Sequence, residues 1–175
     1  MARVKFAVSW FAPLAGILAQ GLTGCASMSH NTTGPGVIPV QNRRDIRVVY
    51  QVTNDEWEDG IGKGLFYVRK LSDAYESMGI LASEVHISAV FHGKAGYWLL
   101  KDSPYGAAAG QTSANPNKDI VRELTERGVS IELCADTMWQ QGWTADDVLP
   151  SVRIVVGAYP RIIDLQRQRY AYIRF

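Results

Sequence analysis

The chain has 175 residues, of which 47% are hydrophobic, and its formal net charge is +1. This composition is typical of one ordinary globular domain and excludes a mostly disordered chain. A net charge this close to zero, without long runs of like charge, gives no electrostatic basis for nucleic-acid binding, so nucleic acid is not a predicted partner.

The first residues have the features of an export signal. Arg3 and Lys5 provide positive charge, and the apolar segment 6–19 follows them. A helix needs about 20 apolar residues to cross the ~30 Å hydrocarbon layer of a membrane, so this segment is too short for a typical spanning helix. The pattern predicts a signal peptide that takes no part in the fold.

The sequence LTGC at 22–25 resembles a bacterial lipobox, in which a branched apolar residue and two small residues precede the lipidated cysteine. The resemblance implies a lipoprotein signal peptide at 1–24 and a mature protein that begins at lipidated Cys25. Ala26 follows that cysteine, which implies anchoring in the outer membrane, on the periplasmic side of the cell envelope. The alternatives are an ordinary secretory signal or a short hydrophobic anchor.

A polar stretch follows the predicted anchor. Residues 25–44 are rich in Ser, Gly and Pro, so they are predicted to be a flexible tether. The folded domain is predicted at 45–175, which is long enough for a proper hydrophobic core.

Strands and helices alternate along this domain. Strands are predicted from β-branched and apolar runs, and helices from apolar residues at helical spacing that stop at glycine. In chain order the predicted elements are a strand at 46–52, a helix at 61–79, a strand at 84–91, an exit loop at 92–96, a short helix at 97–102, a loop at 103–117, a helix at 118–128, a strand at 129–134, helical turns within 138–149, a strand at 152–157, a helix at 158–169 and a strand at 170–175.

This alternation predicts an α/β domain with a mainly parallel five-stranded sheet and helices on both faces. Ligands of such sheets bind beyond the carboxyl ends of the strands. Three polar segments fall at predicted strand ends, and they supply the candidate pocket residues Asn54, Lys94, Asp136 and Trp139. The third segment begins directly after Cys134.

Cys134 is one of two cysteines in the chain. If Cys25 carries lipid, Cys134 is the single free thiol of the mature protein and has no partner for an internal disulfide. Its position before a helical turn favours the thiolate, which the charge of Asp136 opposes and a nearby Lys94 would support. The alternative is a buried cysteine that acts as a small apolar side chain.

Other residues give weaker signals. His92 is either a base or hydrogen-bond partner for the thiol, or a loop histidine that caps backbone groups. The domain lacks the paired Cys and His spacing of a metal site, and GIGKG at 60–64 lacks the phosphate-loop pattern, so no metal and no cofactor are predicted. The tryptophans at 98, 139 and 143 line a pocket, form an oligomer interface or pack in the core.

The order of features in the last third of the chain resembles the DsrE/DsrF-like family. The matching features are a strand ending in cysteine, an acidic turn and a closing tyrosine-rich strand: SIELC (130–134), DDVLP (146–150) and LQRQRYAYI (165–173). Upstream, VVYQV (48–52) and VFHGKAG (90–96) fit as well, so the resemblance covers about residues 45–175.

The resemblance implies a three-layer α/β/α fold, a variant of the flavodoxin-like arrangement, assembled into homo-oligomers or hetero-oligomers that are commonly trimers or hexamers. It also implies a sulfur-relay role, in which Cys134 carries sulfur as a persulfide between a donor and an acceptor protein. His92 matches a position that often neighbours the family's cysteine, and Asp136 stands where the family often has asparagine.

Three functions therefore remain open. The first is an envelope lipoprotein that binds or relays sulfane sulfur through Cys134. The second is a non-catalytic domain that binds a small ligand or scaffolds an oligomer, with Cys134 structural. The third is a sulfurtransferase or reductase that acts on a small sulfur compound.

Overall fold

The computed structural model describes residues 36–175, whose centre is a five-stranded parallel sheet. Its elements, in chain order, are β1 (Ile46–Val52), β2 (Trp57–Glu58), β3 (Ile61–Gly62), α1 (Lys63–Ser77), β4 (Val85–Phe91), α2 (Asp102–Ala109), α3 (Lys118–Glu126), β5 (Ser130–Cys134), α4 (Ala135–Gln141), β6 (Arg153–Val155), α5 (Ala158–Arg167) and β7 (Ala171–Arg174). Short 3₁₀ helices occupy Ala82–Glu84, Gly93–Leu99 and Ala145–Asp147.

The predicted signal peptide and Cys25 lie outside the described residues, so the predictions made for them stay predictions. Within residues 36–175, no helix combines the length and the apolar character that crossing a bilayer requires.

The strand order of the main sheet is β6-β5-β4-β1-β7, and every neighbouring pair is parallel. The predicted mainly parallel five-stranded sheet is therefore confirmed. Because the strands are parallel, the segments that follow β1, β4 and β5 meet along one side of the sheet, which we call the carboxyl edge. β6 and β7 are the outermost strands, and they are short.

Helices cover both faces of the sheet, which makes three layers. On the face that we call the α1 face, Leu65 of α1 and Leu124 of α3 pack on apolar side chains of β1, β4 and β5. On the opposite face, the α5 face, Ile162 and Leu165 of α5 pack on a smaller apolar cluster. The larger core therefore lies on the α1 face.

The helix predicted at 61–79 begins at Lys63, because the two residues before it belong to a hairpin. β2 and β3 pair in the antiparallel sense around Asp59 and Gly60, whose φ angles are +52° and +76°. Two consecutive positive φ angles define a tight type I′ turn, and Asp-Gly is a favoured sequence for it. The turn chemistry overrides the helical periodicity at this point.

Two glycines in the GIGKG stretch allow close packing of neighbouring side chains. A Cβ atom on Gly62 would lie 2.5 Å from the ring of Trp98, and one on Gly64 would lie 2.5 Å from Cγ1 of Val52. Trp98 is fully buried, so it packs in the core. Gly64 lets the start of α1 approach the end of β1 within normal contact distance.

The prediction of a loop at 103–117 is wrong for its first half, where the chain forms α2. Proline is tolerated in the first turn of a helix, and the alanines that follow Gly106 have the highest helix propensity. Tyr105 is buried and anchors the helix, and Gly110 ends it with a φ angle of +65°. The prediction of an exit loop at 92–96 followed by a short helix at 97–102 is also wrong, because a 3₁₀ helix occupies Gly93–Leu99 and Leu100 forms a β-bridge with Val148. The remaining predicted strands and helices are confirmed, with ends shifted by a few residues.

An ion pair between a buried glutamate and a partly exposed arginine joins the sheet to α5. Glu132 of β5 is 1% exposed, and its carboxylate accepts hydrogen bonds from Nε and Nη2 of Arg161 at 2.7 and 2.8 Å. Ser130 donates a third hydrogen bond to the same carboxylate at 2.9 Å. The Glu132 carboxylate raises the pKa of Arg161 above its usual value. A buried charge without such partners is strongly destabilising, so this pair fixes α5 on its face of the sheet.

The packing of α1 on β1 leads to a test by substitution. Helix propensity alone predicts that Gly64→Ala stabilises the protein, by about 1 kcal/mol. Because the new methyl group meets Val52, we expect the opposite: a loss of about 1–3 kcal/mol in the free energy of unfolding, measured in urea. In a Val52→Ala background, Gly64→Ala should lower the free energy of unfolding much less, because the Cγ atoms of Val52, which lie closest to the new methyl group, are absent. An equal cost in both backgrounds would contradict the packing explanation.

Candidate functional site

Cys134 is the last residue of β5, at the carboxyl edge of the sheet. It belongs to the cluster on the α5 face, with Val49 of β1, Val90 of β4 and Ala158 of α5. Only 4% of the residue is exposed. The thiol thus lies at the edge where α/β sheets bind ligands, beneath a layer of apolar side chains.

The chain turns from strand to helix at Cys134 itself. The residue has extended φ and ψ angles of −70° and 124°, and α4 begins at the next residue. Within α4, the hydroxyl of Thr137 accepts a hydrogen bond from the backbone N–H of Gly93 at 3.1 Å. This bond ties the helix after the thiol to the segment that follows His92.

Strand register brings His92 next to Cys134. The last pair between β4 and β5 is Phe91 opposite Leu133; His92 is the first residue after β4, and Cys134 is the last residue of β5. The imidazole of His92 packs edge-on against the ring of Tyr159 in α5, with ring centroids 5.3 Å apart. Both residues predicted to carry chemistry therefore occupy neighbouring positions at the carboxyl edge, near the start of α5.

A buried amide holds the His92 ring. Gln51 of β1 is 6% exposed, and its Nε2 lies 2.8 Å from Nε2 of His92. The side-chain oxygen of Gln51 accepts a hydrogen bond from the hydroxyl of Tyr172 in β7. With the amide in this orientation its N–H donates to an unprotonated Nε2, an arrangement that matches a neutral ring with its proton on Nδ1.

The surroundings of His92 also favour the neutral ring. Burial lowers the pKa of His92 below its usual value, and the positive charge of Arg174 lowers it further. Arg174 of β7 lies opposite Gln51 in the register of β1 and β7. Desolvation and a nearby like charge both disfavour the imidazolium, in agreement with the hydrogen bond from Gln51.

A cavity of about 380 Å³ opens at the carboxyl edge, at the ends of β1 and β7. Its wall includes Asn54, Lys63, Arg174 and the carboxylate of Glu56, which pairs with Lys63 at 2.5 Å. Asn54, a predicted pocket residue, therefore does line a cavity. Cys134 is not part of its wall.

The other predicted pocket residues are at the surface. Lys94 is exposed on the 3₁₀ helix that follows His92, and Trp139 of α4 is 81% exposed. Asp136 is exposed in the first turn of α4, with Oδ2 3.5 Å from the position of a Cβ atom on Gly157. The carboxylate of Asp136 thus lies beside the start of α5.

Sequence reasoning missed three residues of this region: Gln51, Tyr172 and Arg174. A signal was present for Gln51, which is a lone amide in the otherwise apolar second half of β1. Tyr172 and Arg174 give no such signal, because their contact with Gln51 depends on the pairing of β7 with β1. Within residues 36–175, no group of three or more His, Cys, Asp or Glu side chains is placed to hold a metal ion.

Comparison with known proteins identifies the relatives of this chain. A model of the DsrE/DsrF-like family matches residues 65–175. Among solved structures, MTH1491 from Methanobacterium thermoautotrophicum, described as a protein of unknown function, is similar, with 27% sequence identity and a TM-score of 0.57. The match covers 75% of this chain and 100% of that chain. No curated protein matches this chain.

The lowered pKa of His92 leads to a pH test of stability. As the pH falls below about 6.5, the unfolded chain binds a proton at His92 that the folded protein disfavours, so the free energy of unfolding falls until the pH reaches the folded-state pKa. We expect the free energy of unfolding to fall less with decreasing pH in His92→Gln than in the parent chain. His86→Gln is the control, because His86 is exposed, and this variant should show the same fall as the parent. Urea unfolding over this pH range measures the effect, and an unchanged pH dependence in His92→Gln would contradict it.

Proposed function

The chain belongs to the DsrE/DsrF-like family, and on that basis we propose that it binds or relays sulfane sulfur as a persulfide on Cys134. The observation that carries the proposal is the position of this free thiol at the carboxyl edge, next to His92 in the strand register. Parallel α/β sheets bind their ligands at this edge.

Transfer from a persulfide donor takes one nucleophilic attack. The Cys134 thiolate attacks the outer sulfur of the donor, so that a bond forms between Sγ and that sulfur while the S–S bond of the donor breaks. The electron pair of the broken bond leaves with the donor thiolate, which takes up the proton that Cys134 released. The sulfur atom moves without net oxidation or reduction, and the thiol of an acceptor protein removes it by the same reaction.

His92 is the proposed hydrogen-bond partner of the persulfide. A neutral ring with its proton on Nδ1 retains one N–H group for donation after Gln51 has engaged Nε2. Such a donor stabilises negative charge on the outer sulfur. The ring is already oriented by Gln51 and Tyr159, so little ordering is needed when sulfur arrives.

The burial of Cys134 favours a second candidate function, a scaffold or small-ligand-binding domain in which the cysteine only fills space. A persulfide must be reachable to pass its sulfur on. Relay therefore requires that the first turn of α5, which includes Ala158 and Tyr159, moves away from the thiol. The two functions differ in whether Cys134 becomes accessible in the folded protein.

We propose that this chemistry takes place at the cell envelope. In this proposal residues 1–24 direct export, Cys25 carries lipid and residues 25–44 tether the domain on the periplasmic side of the outer membrane. The basic and apolar start of the chain and the LTGC sequence support it. Sulfur donors and acceptors are then proteins or small compounds of the envelope.

A cluster of exposed apolar side chains supports assembly with further copies of the chain. Tyr159 and Ile163 of α5 are 65% and 57% exposed, and Val156, just before α5, is 90% exposed. Residues four apart lie on the same side of a helix, and contiguous apolar surface marks interaction sites. We call these three residues the α5 strip and propose that it contacts a second copy in a homo-oligomer, with a hetero-oligomer as the alternative.

Mass spectrometry tests the sulfur proposal. After incubation of the purified chain with a polysulfide donor, we expect a gain of about 32 Da, one sulfur atom, that is absent from Cys134→Ser. His92→Gln should lower the rate of this gain. A second protein thiol should remove the added sulfur stoichiometrically, since a carrier needs an acceptor.

Alkylation of the same samples separates the two candidate functions. Slow labelling of Cys134 in the folded protein, together with the mass gain, supports relay. If Cys134 gains no sulfur and is alkylated only after unfolding in urea, the scaffold function stands. Multiple turnovers of a small sulfur compound without a partner protein would instead indicate an enzyme.

Sedimentation velocity tests the assembly proposal. We expect Ile163→Glu to shift the protein to a smaller species, because a carboxylate in an apolar contact remains unpaired. Leu81→Glu is the matched control, since Leu81 is 68% exposed but precedes β4 at the opposite edge of the sheet. The same sedimentation coefficient for both variants and the parent chain would exclude the α5 strip as the contact.

A further inference from the structure

We infer that the cavity at the ends of β1 and β7 binds a small sulfur oxyanion through Arg174, Lys63 and Asn54, and that its occupancy is coupled to the protonation of His92. The choice of ligand rests on the proposed sulfane-sulfur function. The site itself rests on the geometry and charges of the described residues.

The cavity has suitable dimensions and polar groups. Its volume of about 380 Å³ holds a tetrahedral oxyanion and several waters, because a water molecule takes up about 30 Å³ in the liquid. Asn54, Lys63 and Arg174 belong to the wall of the cavity, and their side chains carry amide, ammonium and guanidinium groups. Donors of this kind recognise the oxygens of an anion.

Arg174 is the cation that a ligand would neutralise. The charge of Lys63 is already balanced by Glu56, which raises the pKa of Lys63 above its usual value. Across the part of the chain that the structure describes, Arg174 forms no ion pair with a carboxylate, so its guanidinium retains free donors. The planar fork of a guanidinium matches two oxygens of an oxyanion.

The strand register connects this cavity with His92. Arg174 lies opposite Gln51, and Gln51 is hydrogen-bonded to the His92 ring. The ring is surrounded by the Gln51 amide from β1, the ring of Tyr159 from α5 and the thiol of Cys134 at the end of β5, and Arg174 from β7 adds positive charge that lowers the pKa of His92.

An anion bound to Arg174 offsets this positive charge, so it should raise the pKa of His92. Coupling of this kind is reciprocal: if the anion favours the imidazolium, then the imidazolium favours the anion by the same factor. Binding should therefore strengthen as the pH falls. In the proposed function, arrival of an anionic sulfur compound would favour the imidazolium beside Cys134, with the Gln51 amide turned so that its oxygen accepts from Nε2.

Sulfate, an unreactive oxyanion, is the probe for the site itself. We would titrate the full chain with sulfate by calorimetry at constant ionic strength, at about pH 6 and about pH 8. We expect tighter binding at the lower pH, a loss of about tenfold in Arg174→Gln and a smaller loss in Asn54→Ala. Arg153→Gln is the charge-matched control, because Arg153 is exposed on β6, at the far side of the sheet, and should bind sulfate as the parent does.

Imidazole NMR signals give a second readout, since the chain has three histidines and a His92→Gln variant identifies the signal of interest. Sulfate should raise the pKa of His92 in the parent chain and leave it unchanged in Arg174→Gln. Equal sulfate affinity in the parent and Arg174→Gln, or a pKa of His92 that does not respond to sulfate, would overturn the inference.

The sulfate experiments and the persulfide experiments can succeed or fail separately. If sulfate binds as expected but Cys134 never gains sulfur, the sulfur proposal fails and the oxyanion site stands. If Cys134 gains sulfur from a polysulfide donor while sulfate shows no coupling to Arg174 and His92, the oxyanion site alone is excluded. Thiosulfate, titrated into Cys134→Ser, then shows whether an oxyanion that carries sulfane sulfur uses the same site.

Discussion

The parallel pairing of the five strands is the constraint on which the rest of this structure depends. Parallel neighbours cannot be joined by a tight turn, so each connection must return along a face of the sheet. The last of these connections is the longest in space, because it leaves β6 at one side of the sheet and enters β7 at the other. α5 makes this crossing, and its path carries it over β5, β4 and β1.

The crossing of α5 determines the surroundings of the thiol. Cys134 faces the helix rather than solvent, and Ala158 at the start of α5 belongs to the same apolar cluster. The ion pair between Glu132 and Arg161 then fixes the position of the helix. The interactions that stabilise this face thus also limit access to Cys134. The proposed relay function requires the first turn of α5 to move away from the thiol, whereas the scaffold function does not.

The sequence predicts the main strands and the positions of Cys134 and His92 well, because β-branched runs and strand ends are local features. It fails where local signals conflict. Asp59-Gly60 forms a turn within a stretch that also has helical periodicity, and the small residues of α2 have the composition of a loop. The bond between Gln51 and Tyr172 joins residues 121 positions apart in the chain, so it depends on strand pairing that no local pattern specifies.

The outermost strands of the sheet have a consequence for how copies of this protein meet. β6 pairs over three residues and β7 over four, so each free side offers another chain few backbone groups for strand addition. Arg153 and Arg174 at these sides add charges that a growing cross-β stack would have to desolvate. The domain should therefore resist ordered aggregation through its edges. Backbone pairing at either edge is disfavoured relative to contacts made by side chains on the faces of the domain.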